Sequence, residues 1–359
     1  MSLRTPRGDW FSTKAAALLA AVSGGVAIWL SLRPERLADL YRLIGWTSRW
    51  LSGDSLYSGD SDVDYPPWAI VVLSPLSLVP SSIVAPLWVA CNVALLIFVA
   101  RTLSRQTSLL TPSDDASRVA LMFLLIAAGA MRTLNQFTLL SLALAVAGSS
   151  GDTRLRPVWL GLSLFKPQIG GVFWLHAVWK RQWRVAAVAA VVPLLLSIVY
   201  AWRAGVAPSS LPGDYARALA VQYGDALTGQ TELTIWLQGL LPGVPGAMLA
   251  VGVALVVFAT LAATQPLLGL SLASLLSVRH LSYDLVLLLP WLSGQPRRVV
   301  WGIALLMVAD PSALAGVWRA DGWFTLHADR LVLMLGWMGA IWWTWRASVA
   351  TESDTIGHN

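Results

Sequence analysis

The eighteen residues from Val185 to Trp202 carry no charge, and neither do the eighteen from Ile83 to Ala100. A helix of that length rises about 27 Å, close to the roughly 30 Å hydrocarbon core of a bilayer. Inside lipid every backbone N–H and C=O must find its partner within the protein, which leaves helices and closed barrels as the spanning structures. Barrel strands alternate apolar and polar residues, and these runs do not. The chain reads as an all-α integral membrane protein.

Composition points the same way. Hydrophobic residues make up 56% of the 359 and charged residues 12%, against about a quarter charged in soluble domains. At about 20 residues per span the length holds roughly ten to thirteen crossings and leaves no soluble domain, so 1–359 is expected to be one integral-membrane domain. The formal charge of +6 arises in short turns between apolar runs. Positive-inside bias accounts for it without nucleic acid as a partner. Cys91, the one cysteine, lies in an apolar run, so neither a disulfide framework nor a thiolate metal cluster is available.

Lys and Arg in the turns set a topology. Residues 1–14, with Arg4, Arg7 and Lys14, are cytoplasmic, 15–32 form an uncleaved first span, and 33–67 an exoplasmic loop. In that loop Leu37, Leu40, Leu43, Ile44 and Leu51 recur at helical spacing, which predicts an amphipathic interfacial helix. Tyr65, Pro66 and Pro67 break the chain before Trp68 to Pro80, a segment too short and proline-rich to cross and read as re-entrant or interfacial. Ile83 to Ala100 descends to Arg101 and Arg105. Val119 to Ala130 pairs with Phe137 to Ala147, and Leu155 to Phe165 pairs with Ile169 to Trp179, which ends on the basic turn KRQWR at 180–184. Val185 to Trp202 rises to a second long exoplasmic loop, 203–246. Spans near 247–263, 266–278, after Asp284, 299–317 and 330–345 complete about twelve crossings, with 347–359 a cytoplasmic tail.

Drawn without reference to function, this topology gathers Asp39, Tyr65, Asn135, Gln136, Lys166, Gln168, Arg279, His280, Tyr283 and Asp284 at one outer face. Ionisable groups at span ends are costly to desolvate and usually face a partner, a cavity or a substrate path. With no Walker lysine motif, no HExxH and no cysteine pair, phosphate-driven pumping and zinc hydrolysis have no support. Such a set suits attack of a hydroxyl on a carbon bearing a phosphate leaving group, in which a carboxylate takes the proton and cations hold the departing phosphate. Asp39 can serve as the base, and Lys166, Arg279 and His280 can hold the phosphate.

Five segments, DLYRLIGWTSRWLSGDSLY, VDYPPWAIVVLSPL, NQFTLLSLALA, GLSLFKPQIGGVFWLHAVWKRQWR and LLSVRHLSYDLVLLLPWL, in this order resemble glycosyltransferase family 87 from about residue 15 to 295. The resemblance implies a GT-C-type bundle and an inverting transfer. The sugar, mannose by family default, would pass from a polyprenyl-phosphate donor to a hydroxyl of an envelope glycolipid or glycan, on the periplasmic side of a bacterial plasma membrane. The family's catalytic aspartate, opening the first outer loop, falls on Asp39. His280 is the second catalytic candidate, and Lys166, Gln168, Arg279, Asn135, Gln136, Tyr65, Tyr283 and Asp284 are the candidates for holding the donor. The chain departs from the family at Asn135, where members often carry Gly, and at Ser277-Val278, where they carry Ser-Pro. No cofactor is firmly implied. A divalent cation among Asp54, Asp60, Asp62 and Asp64 would suit hard oxygen ligands, but their spacing matches no defined metal loop.

Each residue also has a plainer reading. Asp39 can cap the interfacial helix, and the loop aspartates are solvated turn formers. Lys166 can snorkel, Asn135 and Gln136 can bond neighbouring helices, Arg279 can pair with Asp284, and His280 can simply pack. Trp46, Trp50 and Trp68 can anchor the interface or stack on a sugar ring. A transporter or flippase of lipid-linked substrates, or a non-catalytic assembly factor, is the competing function. Transporters of that kind show repeated halves, and no repeat stands out here.

Overall fold

The computed structural model describes parts of 18–33, then 37–58, 62–106, 137–150, 153–223, 241, 243–277 and 286–292. The helices expected at 119–130, 299–317 and 330–345 lie outside the described residues, as do Asn135, Gln136, Arg279, His280, Tyr283 and Asp284. Among the described residues all regular structure is helical.

The predicted amphipathic helix is α1, Ala38–Leu51. It buries Leu40, Leu43, Trp46, Thr47 and Trp50 and leaves Asp39, Tyr41, Arg42, Ser48 and Arg49 outside. Burying a large apolar side chain stabilises by about 1.5–3 kcal/mol, so this stripe holds the helix down on the protein. Pro66, in an extended conformation, and Pro67, at the first helical position, then start α2, Pro67–Leu73. A 3-10 turn, Ser74–Leu78, ends it. The segment read as non-crossing is thus one short helix and its tail.

Among the described residues two helices are long and apolar enough to cross a membrane: α3, Ser81–Gln106, and α7, Trp183–Ala204. Between them come α4, Thr138–Ser149, α5, Arg156–Ser163, and α6, Pro167–Trp179. The sequence reading gave α5 eleven residues from 155 to 165; it has 8, because Leu164 and Phe165 already belong to the reversal before Pro167. The outer loop expected at 203–246 is not all loop, since it contains α8, Leu211–Tyr223, whose Leu211 and Ala218 are buried. The next two expected spans are α9, Gly246–Leu261, and α10, Pro266–Ser277, and the short α11, Leu289–Leu292, packs on α10.

Small residues let α5 sit at the centre of this group. A Cβ on Gly161 would lie 2.6 Å from the Ala189 carbonyl oxygen of α7, and one on Gly148 of α4 would lie 2.7 Å from the Leu160 amide nitrogen. At the start of α6 a Cβ on Gly170 would lie 2.4 Å from the Ser163 carbonyl oxygen, whereas its neighbour Gly171 faces open space. Two adjacent substitutions are therefore expected to act in opposite directions. Gly171→Ala should raise stability by up to about 1 kcal/mol through helix propensity. Gly170→Ala should lower it by about 1–3 kcal/mol or more through overpacking. Thermal unfolding of the purified protein in detergent measures both.

Among the described residues the buried apolar side chains form two clusters. The first joins α1, Leu56, Tyr57, Val63, α2, Ala85 and Trp88 of α3, Phe137, Phe165, the end of α7 around Tyr200, and α8. The second joins the remainder of α3 from Leu96, α4, α5, α6, α9 and α10. α3 passes from one to the other between Trp88 and Leu96. The chain makes the same passage between Phe137 and Leu139, and between Leu160 and Phe165.

Candidate active site

Buried polar residues stand at or beside those three passages. Asn92, Thr138, Ser141, Ser163 and Lys166 are all buried, although apolar side chains surround them on both sides. Groups of this kind persist in an interior only when bonded or when they serve a ligand. Ser141 Oγ donates to the Ser163 carbonyl at 2.8 Å, and Ser163 Oγ donates to the Leu160 carbonyl at 2.6 Å. Lys166 Nζ donates to Thr138 Oγ1.

Lys166 owes its position to Pro167. The residue before a proline avoids the helical region, and Lys166 accordingly has φ −118° and ψ 86° at the N-cap of α6. Its carbonyl accepts from the amides of Ile169 and Gly170, and its own amide donates to the Ser163 carbonyl at 3.3 Å. The chain thus turns between the C-terminus of α5 and the N-terminus of α6. The side chain, on a residue only 4% exposed, is turned inward, where its ammonium meets Thr138 at the start of α4. A solvent-seeking snorkelling lysine would not be buried in this way. Gln168 is half-buried on the first turn of α6, where its carbonyl accepts from Ser274 Oγ of α10 at 3.3 Å.

Aromatic rings cover this layer. Tyr65 lies between Trp46 (centroids 6.4 Å apart) and Phe137 (6.1 Å), and Phe137 lies against Trp88 at 4.7 Å. Tyr57 donates to the Tyr65 carbonyl at 2.7 Å, and Tyr215 of α8 donates to the Asp64 carbonyl at 3.3 Å. Burial first, then neighbouring Tyr200, Tyr215 and Asp64, pushes the Tyr57 phenol well above its ordinary value; burial, then Asp64, pushes Tyr215 up. Both phenols therefore stay protonated at neutral pH and serve as hydrogen-bond donors, not bases.

The tryptophans read as sugar platforms are engaged within the protein. Trp50 stacks on Tyr200 (5.9 Å, 9°) and donates to the Tyr200 carbonyl at 3.2 Å. Trp68 donates to the Leu164 carbonyl at 2.8 Å and so occupies an acceptor at the end of α5. Trp46 donates to Asp62 Oδ1 at 3.2 Å, giving one of the loop aspartates a structural task. Asp54 is exposed, 3.5 Å from Arg49, a surface pair of small worth. Among the described residues no three His, Cys, Asp or Glu side chains are grouped to hold a metal ion.

Asp39 is exposed in the first turn of α1. The N-cap of that helix is Leu37 and no side chain caps it, so Asp39 does not hold the post that its plainer reading gave it. Leu37 and Leu40, on either side of it, belong to the same cluster as Tyr65, Phe137 and Phe165. Leu37 and Leu40 beside Asp39, and Phe165 beside Lys166, thus share the cluster against which Tyr65 packs.

Residues 64–290, more than half of the chain, match the model of glycosyltransferase family 87. The protein belongs to glycosyltransferase family 87. No curated protein and no solved structure matches it. A family 87 protein is a membrane glycosyltransferase, so this chain transfers a sugar from a donor to an acceptor in a membrane setting. The matched region contains Tyr65, Lys166 and Gln168 as well as Asn135, Gln136 and the 279–284 segment, and it begins after Asp39. Sequence reasoning missed Thr138, Tyr57, Tyr200 and Tyr215. Thr138 was within reach, since it follows Phe137 in the quoted NQFTLLSLALA segment and is a hydroxyl at the start of an apolar run.

Proposed function

We propose that this family 87 glycosyltransferase moves a sugar, most simply mannose, from a polyprenyl-phosphate donor to a hydroxyl of an envelope glycolipid or glycan at the outer face of a bacterial plasma membrane. The observation that carries the reading is the buried ammonium of Lys166, held where two helices meet end to end beneath an aromatic cover. A lysine is a compact point charge suited to a phosphate oxygen. A buried cation stabilises charge that develops there far more than an exposed one would.

The chemistry is a single displacement. Asp39 takes the proton of the acceptor hydroxyl as the acceptor oxygen bonds to the anomeric carbon. The bond from that carbon to the phosphate oxygen breaks, and the electron pair leaves with the polyprenyl phosphate. Lys166, with Arg279, offsets the charge on the departing group, and one displacement inverts the anomeric centre. Gln168, Asn135, Gln136, Tyr65, Tyr283 and Asp284 would hold the sugar and phosphate, and His280 would assist the proton transfer.

Purified protein in proteoliposomes, given polyprenyl-phosphate mannose or a nucleotide-activated mannose with a glycolipid extract, tests the proposal. Mass analysis should show one added hexose with the lipid-linked donor alone. Transfer from the nucleotide sugar alone would overturn the proposal.

A further inference from the structure

Two buried polar atoms on α3 have no hydrogen-bond partner among the described residues: Trp88 Nε1 and Asn92 Oδ1. Trp88 is 4% exposed and Asn92 0%. Four positions apart, they lie on the same helix face, at the passage between the two apolar clusters. Asn92 Nδ2 donates to the Trp88 carbonyl at 3.0 Å, and since only the amide nitrogen can donate to a carbonyl, the free oxygen is fixed as an acceptor. The Trp88 ring rests on Phe137 at 4.7 Å, and Phe137 precedes Thr138, the partner of the Lys166 ammonium.

An indole N–H donates only, and a carboxamide oxygen accepts only. One hydroxyl satisfies both, accepting from Trp88 and donating to Asn92. A phosphate oxygen would leave Asn92 unanswered, and an isoprenoid tail offers no polar group. We infer that Trp88 and Asn92 read one hydroxyl of the donor's glycosyl unit, and so set sugar specificity one residue away from the phosphate subsite. The inference rests on the donor reading proposed above, because a sugar one bond from a phosphate held at Lys166 is the hydroxyl-bearing group placed to reach α3. It also explains why a membrane-crossing helix keeps two uncompensated polar atoms, an arrangement that costs stability unless a ligand uses them.

The test uses full-length protein in proteoliposomes with polyprenyl-phosphate mannose and its 2-, 3-, 4- and 6-deoxy analogues. For each protein kcat/KM is expressed as a ratio to its own value with the parent donor, so the folded fraction cancels. One deoxy donor should cost the wild type about tenfold or more, since a site built to bond a hydroxyl rejects the analogue lacking it. In Trp88→Phe that penalty should shrink to within about twofold of the parent, with the other three ratios unchanged. Asn92→Ala, which keeps the indole, should erase the same penalty. Equal ratios in wild type and both variants, the result if these atoms bind only a water or a packing neighbour, would overturn the inference. So would a wild type indifferent to every deoxy donor. Failure of the donor reading looks different: the wild type then uses none of the five lipid-linked sugars, and the inference falls with it.

Discussion

Asp39→Asn is expected to lower transfer from polyprenyl-phosphate mannose by about 10²–10⁴-fold, the range that a positioned general base contributes. The fold should scarcely notice. Asp39 is exposed on the first turn of α1 and the helix takes no side-chain cap. The variant gives up the carboxylate's favourable place in the helix dipole, worth roughly 0.3–1 kcal/mol at a surface site. A plain helix-stabilising role predicts the reverse, a small drop in unfolding temperature with turnover intact. Single-turnover assays beside thermal unfolding separate the two. Because the family match begins after Asp39, this variant is also the most direct test of the role that the sequence resemblance gave it. Turnover within about threefold of wild type would remove Asp39 from the chemistry.

Lys166→Met should have an effect of similar size by another route. Methionine keeps most of the side chain's length and its unbranched shape and loses the charge. Removing one preorganised group that stabilises developing charge costs about 10²–10³-fold in kcat, and the donor KM should rise with it. Thermal unfolding measured beside turnover shows whether the loss arises in a folded protein, which is the expected result. Lys166→Arg should rescue poorly, since a planar guanidinium does not fit a cradle shaped for an ammonium beside Thr138. An active Lys166→Met protein would leave the proposed phosphate subsite without its central residue.

Helices α7, α9 and α10 could be read closely at both ends, and α3 at its start although it runs on from Ala100 to Gln106, because an uncharged run long enough to sit in hydrocarbon has few alternatives. The apolar stripe of α1 was equally plain, and two prolines announced the short α2. Lys166 stood out for a local reason, a charge followed by proline between two apolar runs. What escaped was whatever depends on distant pairing. Tyr57 meets Tyr200 and Tyr215 across about 150 residues, and no periodicity encodes such a meeting. α8 escaped too. It opens on Leu-Pro-Gly and carries Asp214 and Arg217 amid small residues, and its order comes from docking Leu211 and Ala218 into the aromatic cluster. Ser141 and Ser163 were invisible for the same reason: a serine in an apolar run looks identical whether it faces lipid or another helix.

The shortness of α5 bears on how a donor must arrive. Its 8 residues climb only about 12 Å, and Gly161, near its end, rests on Ala189 and Val192, close to the midpoint of the 22-residue α7. With α7 crossing the bilayer, as its length and composition allow, the proposed phosphate subsite would lie below the level of the lipid headgroups. A phosphodiester approaching it has to shed its hydration shell on the way in, before any bond to the sugar is disturbed. Water is then scarce where the anomeric carbon is exposed, which favours transfer to the intended hydroxyl over hydrolysis.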